Sequence, residues 1–332
     1  MVSGCESMIV VIGPNPAIQK TITLPSPLVP DNVHRATSVT LGVGGKGQNV
    51  AIALHKLHPN SNEVELHQFG SSDTTGETLR SLLPASLQTS TTTSSTPVRT
   101  CTTLLSPDGI ATEIIEPTPP ITSDELTTFL ASLSTFLTTT PSVVVCMGSV
   151  PPSTPPSFYG DCVKASNVDS SSTIVIDVSS LPLLQGLLDN CPKVKDIILK
   201  CNLSGEKLSW PIKINTHPNL TPLVEIEKMV GTPEKAFDLS PNLTHVVLTN
   251  GGNPAQFIAR DTPPKYILIP PTKTMKSPIG AGDAVAAGLA FAIESEMNVH
   301  NAFIYGLKLG AAACHVSSCN GFDQDYFNEL TK

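Results

Sequence analysis

The chain has 332 residues, 40% of them hydrophobic, and a formal net charge of −8, which is enough apolar side chain for one large or two ordinary globular domains. An acidic balance with few basic runs argues against a nucleic-acid partner, and it leaves room for a local basic pocket that takes a phosphorylated ligand. The eight cysteines form no Cys-x-x-Cys pair and no Cys/His set with zinc spacing, so they read as buried, reduced thiols rather than a metal centre.

Residues 1–6 carry no basic region ahead of an apolar core, and the longest apolar stretch, 284–293, is far too short to span a bilayer. The expectation is a soluble, cytoplasmic protein with no membrane partner; an organellar address stays open. Residues 8–12 then form a short apolar run that reads as a buried strand. Residues 18–41 are rich in Thr, Val, Ile and Pro and read as strands without helices between them. A literal Gly-x-Gly-x-x-Gly follows in Gly42-Val43-Gly44-Gly45-Lys46-Gly47, which is the pattern of a dinucleotide site. The strand before it, however, belongs to the Pro- and Thr-rich segment and not to an N-terminal βαβ unit. The other reading is a ligand clamp. Gly44 and Gly45 let a ligand approach the backbone, Lys46 offers a cation and Asn49 an amide one turn into a helix. That helix shows in the spacing of Val50, Ala51, Ala53, Leu54 and Leu57.

Residues 88–96 are almost wholly Ser and Thr and read as a mobile surface connector. Residues 97–116 again read as strands, able to pair with 18–41 in a small sheet over one edge of the main body. Leu126, Phe129, Leu130, Leu133 and Leu137 recur at helical spacing, with a start at Ser123 before Asp124 and Glu125. The runs 143–147, 173–178, 196–199 and 245–249 read as further buried strands. Strands alternating with helices predict a mainly parallel sheet covered on both faces, with ligands beyond the carboxyl ends of the strands. Near the end, Gly280-Ala281-Gly282-Asp283 leads into the apolar helical stretch 284–293. Free N–H groups at a helix start hold anions, and Asp283 in the first turn can take a proton from a neighbouring hydroxyl. Taken alone, the same pattern is also an ordinary helix cap.

Together these segments carry a resemblance. Gly44-Gly45-Lys46-Gly47-Gln48-Asn49-Val50-Ala51 and Ile279-Gly280-Ala281-Gly282-Asp283 resemble the two glycine motifs of the ribokinase-like (PfkB) carbohydrate kinases. Asn15-Pro16-Ala17-Ile18, Glu113-Ile114-Ile115-Glu116-Pro117, Gly148-Ser149-Val150-Pro151-Pro152 and Ile176-Asp177-Val178-Ser179 look like the 1-phosphofructokinase and tagatose-6-phosphate kinase branch. The similarity runs from about residue 8 to 322. It implies one ribokinase-like three-layer α/β/α domain over 1–332, with a small β-sheet lid from about 18–41 and 97–116.

The resemblance also implies a mechanism. A sugar or sugar phosphate, most readily a ketohexose phosphate, is phosphorylated by ATP with Mg²⁺ bridging the phosphates. Asp283 is the base, and the N–H groups of Gly280, Ala281 and Gly282 take the charge of the transferring group. Gln19, Gly44, Gly45, Lys46, Asn49, Arg99 and Ser149 fall at substrate positions, with Arg99 matching the residue that holds the substrate phosphate. Lys200, Asn202, Thr249, Gly251 and Gly282 fall on the nucleotide side, and Glu206 falls on the metal side, acting indirectly through water or phosphate. A homodimer paired through the lid is compatible with exposed lid strands.

Four positions depart from the branch. Gln19 stands where an Asp is usual, so it offers a neutral acceptor. Asn202-Leu203-Ser204-Gly205-Glu206 carries its Glu one residue late for Asn-x-x-Glu. Cys201 replaces a Pro, and Cys101 stands where Asn is common. Two alternatives follow: a kinase for an unphosphorylated sugar or nucleoside, and a catalytically weak regulatory member of the family.

Overall fold

The computed structural model describes residues 8–58, 63–108, 110–136, 140–202, 233–270 and 275–332. A nine-stranded sheet forms its centre. In chain order its strands are β1 (Ile9–Ile12), β4 (Val64–Ser71), β5 (Gln88–Ser94), β8 (Val143–Gly148), β9 (Thr173–Val178), β10 (Asp196–Asn202), β11 (His245–Asn250), β12 (Asn253–Ala259) and β13 (Lys265–Ile267). Their order in space is β13-β12-β11-β10-β9-β8-β1-β4-β5, and all neighbours pair parallel except at β12, which is antiparallel to both β11 and β13. The remaining strands, β2 (Ala17–Thr23), β3 (Ser38–Gly44), β6 (Arg99–Leu105) and β7 (Ala111–Ile115), form a separate four-stranded sheet in the order β3-β2-β6-β7. That sheet is the pairing of the two Thr-rich segments that the sequence predicts.

The helices are α1 (Lys46–Leu57), α2 (Thr74–Leu82), α3 (Ser123–Phe136), α4 (Phe158–Ala165), α5 (Leu181–Asn190), α6 (Ala281–Glu294), α7 (Val299–Ala313) and α8 (Gln324–Thr331). They cover both faces of the large sheet because its strands are apolar on both. Ile9 and Val11 of β1 join a core with α1, α6, α7 and α8. Val10 and Ile12 point the other way, into a core with Phe129 and Leu133 of α3, Phe158 of α4 and Leu187 of α5. The result is three layers, each buried aliphatic residue contributing about 1.5–3 kcal/mol. No helix among the described residues is long and apolar enough to cross a membrane.

Two readings need correction. Residues 88–96 are no loose connector, because β5 runs through Gln88–Ser94 as the edge of the large sheet, parallel to β4. Its Ser90, Thr92 and Ser94 are buried on one face, and Thr91 takes a hydrogen bond from the Gln68 amide at 3.2 Å. β-Branched Thr suits a pleated strand, and buried hydroxyls find partners there that a sequence does not display. α3 starts at Ser123 as read, with Thr122 before it as its cap. The Thr122 hydroxyl accepts from the Glu125 N–H at 3.2 Å, and the Glu125 carboxylate accepts from the Thr122 N–H at 2.7 Å, a reciprocal capping box. The thiols are mixed in burial: Cys146 and Cys162 are buried, whereas Cys101, Cys191, Cys201, Cys314 and Cys319 are half-buried, all of them free. Leu137, part of the periodic run, lies outside the described residues.

Candidate active site

The two glycine loops, far apart in sequence, meet at the carboxyl ends of the parallel strands. α1 starts from Gly45, whose φ of 101° suits glycine, and a Cβ there would sit 2.2 Å from the Gln48 side-chain oxygen. α6 starts from Gly280 at φ 81°, where a Cβ would lie 1.7 Å from the Cys319 carbonyl oxygen. Each helix brings one polar side chain of its first turn to the other. Asn49 Nδ2 donates to Asp283 Oδ2 at 2.8 Å. Burial pushes the Asp283 carboxyl above the ordinary aspartate range, against the pull of Lys46, the Asn49 hydrogen bond and Lys200. It is therefore a stronger base than a solvated aspartate, at the mouth of a helix whose N–H groups favour negative charge.

Beside it lies a charged cluster that includes a residue not singled out from sequence. Asp177, near the end of β9, is 2% exposed and accepts from Lys46 Nζ and from Lys200 Nζ, each at 2.6 Å. Burial alone would raise the Asp177 carboxyl, but Lys200 and then Lys46 outweigh it and hold it at about 2. Burial would likewise lower the Lys46 ammonium; Asp177 first, then Asp283, lift it above its usual value. Lys200 Nζ also donates to Asn202 Oδ1 at 3.2 Å, and the Thr249 hydroxyl donates to the same oxygen. A Cβ on Gly282 would be 3.1 Å from Lys200 Nζ and from Asn202 Nδ2. Glycine there leaves the backbone N–H groups and the Lys200 ammonium facing one space without a side chain between them, a cradle that fits phosphate oxygens.

A second cluster lies at the start of the small sheet. Asn15 Nδ2 donates to Ser149 Oγ at 2.8 Å and to Thr118 Oγ1 at 3.1 Å. Arg99 lines the same cleft, together with Thr96 and Pro151, and its Nε is buried and without a hydrogen-bond partner among the described residues. Gln19 is buried on β2, where its amide donates to Thr103 Oγ1 at 2.8 Å. Gly44 packs over it, a Cβ at 44 falling 3.2 Å from the Gln19 Cβ.

The structure thus joins Lys46, Lys200, Asn202 and Thr249 in one hydrogen-bonded group around Asp177, with the hydrogen-bonded pair Asn49 and Asp283 and the Gly282 backbone beside it, and Gly45, Gly280 and Ala281 setting the two helix starts. Arg99 and Ser149 belong to the Asn15 cluster. Gly251 is exposed in the turn after β11, and a Cβ on it would meet nothing within 4 Å. Glu206 lies outside the described residues. Asp177 and Asn15 are the additions. The signal for Asp177 is a carboxylate near the end of an otherwise apolar strand, a position that demands a cation.

The family model for pfkB family carbohydrate kinases matches residues 7–325. Among solved structures, the tetrameric inhibited form of phosphofructokinase-2 from Escherichia coli is similar at TM-score 0.74 and 18% identity, over 98% of this chain and 100% of that one. A possible 1-phosphofructokinase from Thermotoga maritima is similar at TM-score 0.75 and 18% identity, over 97% of each chain. Ribokinase from Thermotoga maritima matches at TM-score 0.69 and 15% identity, over 98% of this chain and 99% of that one.

Proposed function

This chain belongs to the pfkB family of carbohydrate kinases and is a sugar phosphotransferase, and we propose that its acceptor is a ketohexose phosphate. The observation that carries the choice of a phosphorylated acceptor is Arg99. A buried guanidinium nitrogen with no protein partner among the described residues is costly unless a ligand supplies an acceptor. Asn15, Thr118 and Ser149 offer neutral hydrogen-bonding groups along the same cleft and no carboxylate, which suits a phosphate.

In this reading residues 1–332 form one kinase domain, and the small sheet is the lid over the acceptor. Asp283 takes the proton of the acceptor hydroxyl as that oxygen attacks the γ-phosphorus of ATP, whose bond to the β,γ-bridging oxygen breaks to release ADP. The backbone N–H groups of Gly280, Gly282 and Asp283 take up the charge on the transferring group, whereas that of Ala281 donates to the Pro278 carbonyl at 3.3 Å and shapes the turn; Lys200 and Lys46 add two ammonium charges nearby. Asn202 and Thr249 orient Lys200, and Gly251 borders the nucleotide. The residues present fit a triphosphate. Asp177 is already committed to two lysines, so Mg²⁺ would be held chiefly by the phosphates and water, with Glu206, which lies outside the described residues, acting indirectly through water or phosphate. When bound it neutralises phosphate charge in transfer. Gln19 uses its N–H on Thr103 and has a neutral amide oxygen left for a sugar hydroxyl. Closure of the lid would exclude water and suppress ATP hydrolysis.

The assay is coupled ATP turnover with fructose-1-phosphate, fructose-6-phosphate and tagatose-6-phosphate beside the free sugars. Turnover of a phosphorylated ketohexose is expected, with Arg99→Ala raising its KM by roughly 10- to 100-fold, the loss of a charge-assisted bidentate contact. Activity confined to free sugars or nucleosides would overturn the choice of acceptor. Asp283→Asn tests the base and should abolish transfer while nucleotide binding persists.

A further inference from the structure

The turn after α7 places a thiol behind the candidate base. Cys319 Sγ lies 3.6 Å from Asn49 Oδ1 and 3.3 Å from the Val43 carbonyl oxygen. The turn is fixed from two sides. Its Cys319 carbonyl fills the space a Gly280 side chain would occupy, and Asn320 Nδ2 donates to Val43 O at 3.2 Å. Lys56 Nζ also reaches the Asn320 carbonyl at 3.4 Å.

We propose that Cys319 is a positioning residue for Asp283, acting through Asn49: of the two acceptors its single S–H can reach, the Val43 carbonyl already accepts from Asn320 Nδ2, so the proton serves the Asn49 carbonyl oxygen and fixes the amide with its NH₂ toward the carboxylate. The argument is one of donor and acceptor count, and it rests on the reading of Asp283 as the base. An asparagine amide has two orientations that fill the same volume and exchange a donor for an acceptor. In the observed one, Nδ2 donates to Asp283 Oδ2 at 2.8 Å and stabilises the carboxylate. In the flipped one, the amide oxygen would face Oδ2, an apposition that holds only when Asp283 carries a proton and cannot act as a base. A donor on the far side of the amide selects between them. The thiol remains a donor at every working pH, because burial first, and the Asp283 charge next, push it up to about 12. The thiol is thus a constant hydrogen-bond donor rather than a nucleophile, and Oδ1 of Asp283 is left for the acceptor hydroxyl.

The test is the pH dependence of kcat for Cys319→Ser, Cys319→Ala and Cys319→Val, with ATP and the ketohexose phosphate or free sugar of the panel that wild type turns over fastest. Cys319→Ser retains a donor and should superimpose on wild type. Cys319→Ala and Cys319→Val should move the acid limb upward by about one pH unit, a tenfold change in ionisation, with KM for ATP unchanged. Val fills the thiol's space, so agreement between the two separates the lost donor from a cavity. An acid limb unmoved in both, or rapid labelling of Cys319 by a thiol reagent in the folded wild-type protein, overturns the proposal. Asp283→Asn separates the two readings. If it abolishes turnover while the Cys319 variants keep the wild-type profile, the base stands and the positioning role falls. If it leaves turnover intact, both fall.

Discussion

Asp177 meets two ammonium groups at 2.6 Å, one from each half of the site, and is itself 2% exposed. Lys200 is 1% exposed, so the carboxylate is what allows that cation to be buried at all. Asp177→Asn should destabilise the protein by about 3 kcal/mol in denaturant unfolding at neutral pH, the typical cost of leaving a buried partner unpaired. A loss below about 1 kcal/mol would show that the lysines find water or other acceptors instead. The same group sets an acid limit. Its carboxyl stands at about 2 in the folded chain against an ordinary 3.8, so its stabilisation is complete above 3.8 and disappears as pH falls toward 2. That difference corresponds to about 2 kcal/mol. Asp177 was hard to read from sequence because its partners are 131 and 23 residues away. Asp283 and Asn49 were legible because each stands beside a glycine loop whose chemistry is local.

At the scale of elements, the helix starts decide the site. Gly280 combines a left-handed backbone with a space already taken by the Cys319 carbonyl. Gly280→Ala should cost at least about 2 kcal/mol of stability and most of the activity, because the loop must shift to relieve a contact of 1.7 Å. Thermal unfolding beside kcat checks it, and a variant as stable and as active as wild type would show that the turn can adapt. The apolar strands of the large sheet and the periodic faces of α1 and α3 were read correctly, since buried parallel strands announce themselves as continuous aliphatic runs. β4 and β5 were not. Glu65, His67, Gln68, Ser90 and Thr92 are buried in them, and polar residues inside strands imitate loop composition. Their hydrogen bonds are made across the sheet, where local patterns carry no trace of them.

For the whole molecule, the register of the small sheet separates two faces. Val39 and Leu41 of β3 align with Ile22 and Lys20 of β2, these with Leu104 and Thr102 of β6, and Thr102 with Ile114 of β7. One face is therefore mainly apolar, and Val39, Leu41 and Ile114 are 52%, 54% and 57% exposed on it. Gln19, Cys101 and Thr103 occupy the other. Such an apolar face suits a second copy of the chain, and we expect a homodimer through it. Sedimentation velocity should give a dimer for wild type and a monomer for Leu41→Glu. A monomeric wild type, or a variant that still dimerises, counts against this face. The aliphatic runs and the two glycine motifs by themselves determined a layered α/β kinase fold, because both signals are local in the chain. Only the tertiary structure decided that Asp177 joins the two lysines, that Asn49 bonds Asp283 and that a thiol stands behind that pair. Those contacts depend on where strands and helix starts converge, and this is set by packing across the whole sheet.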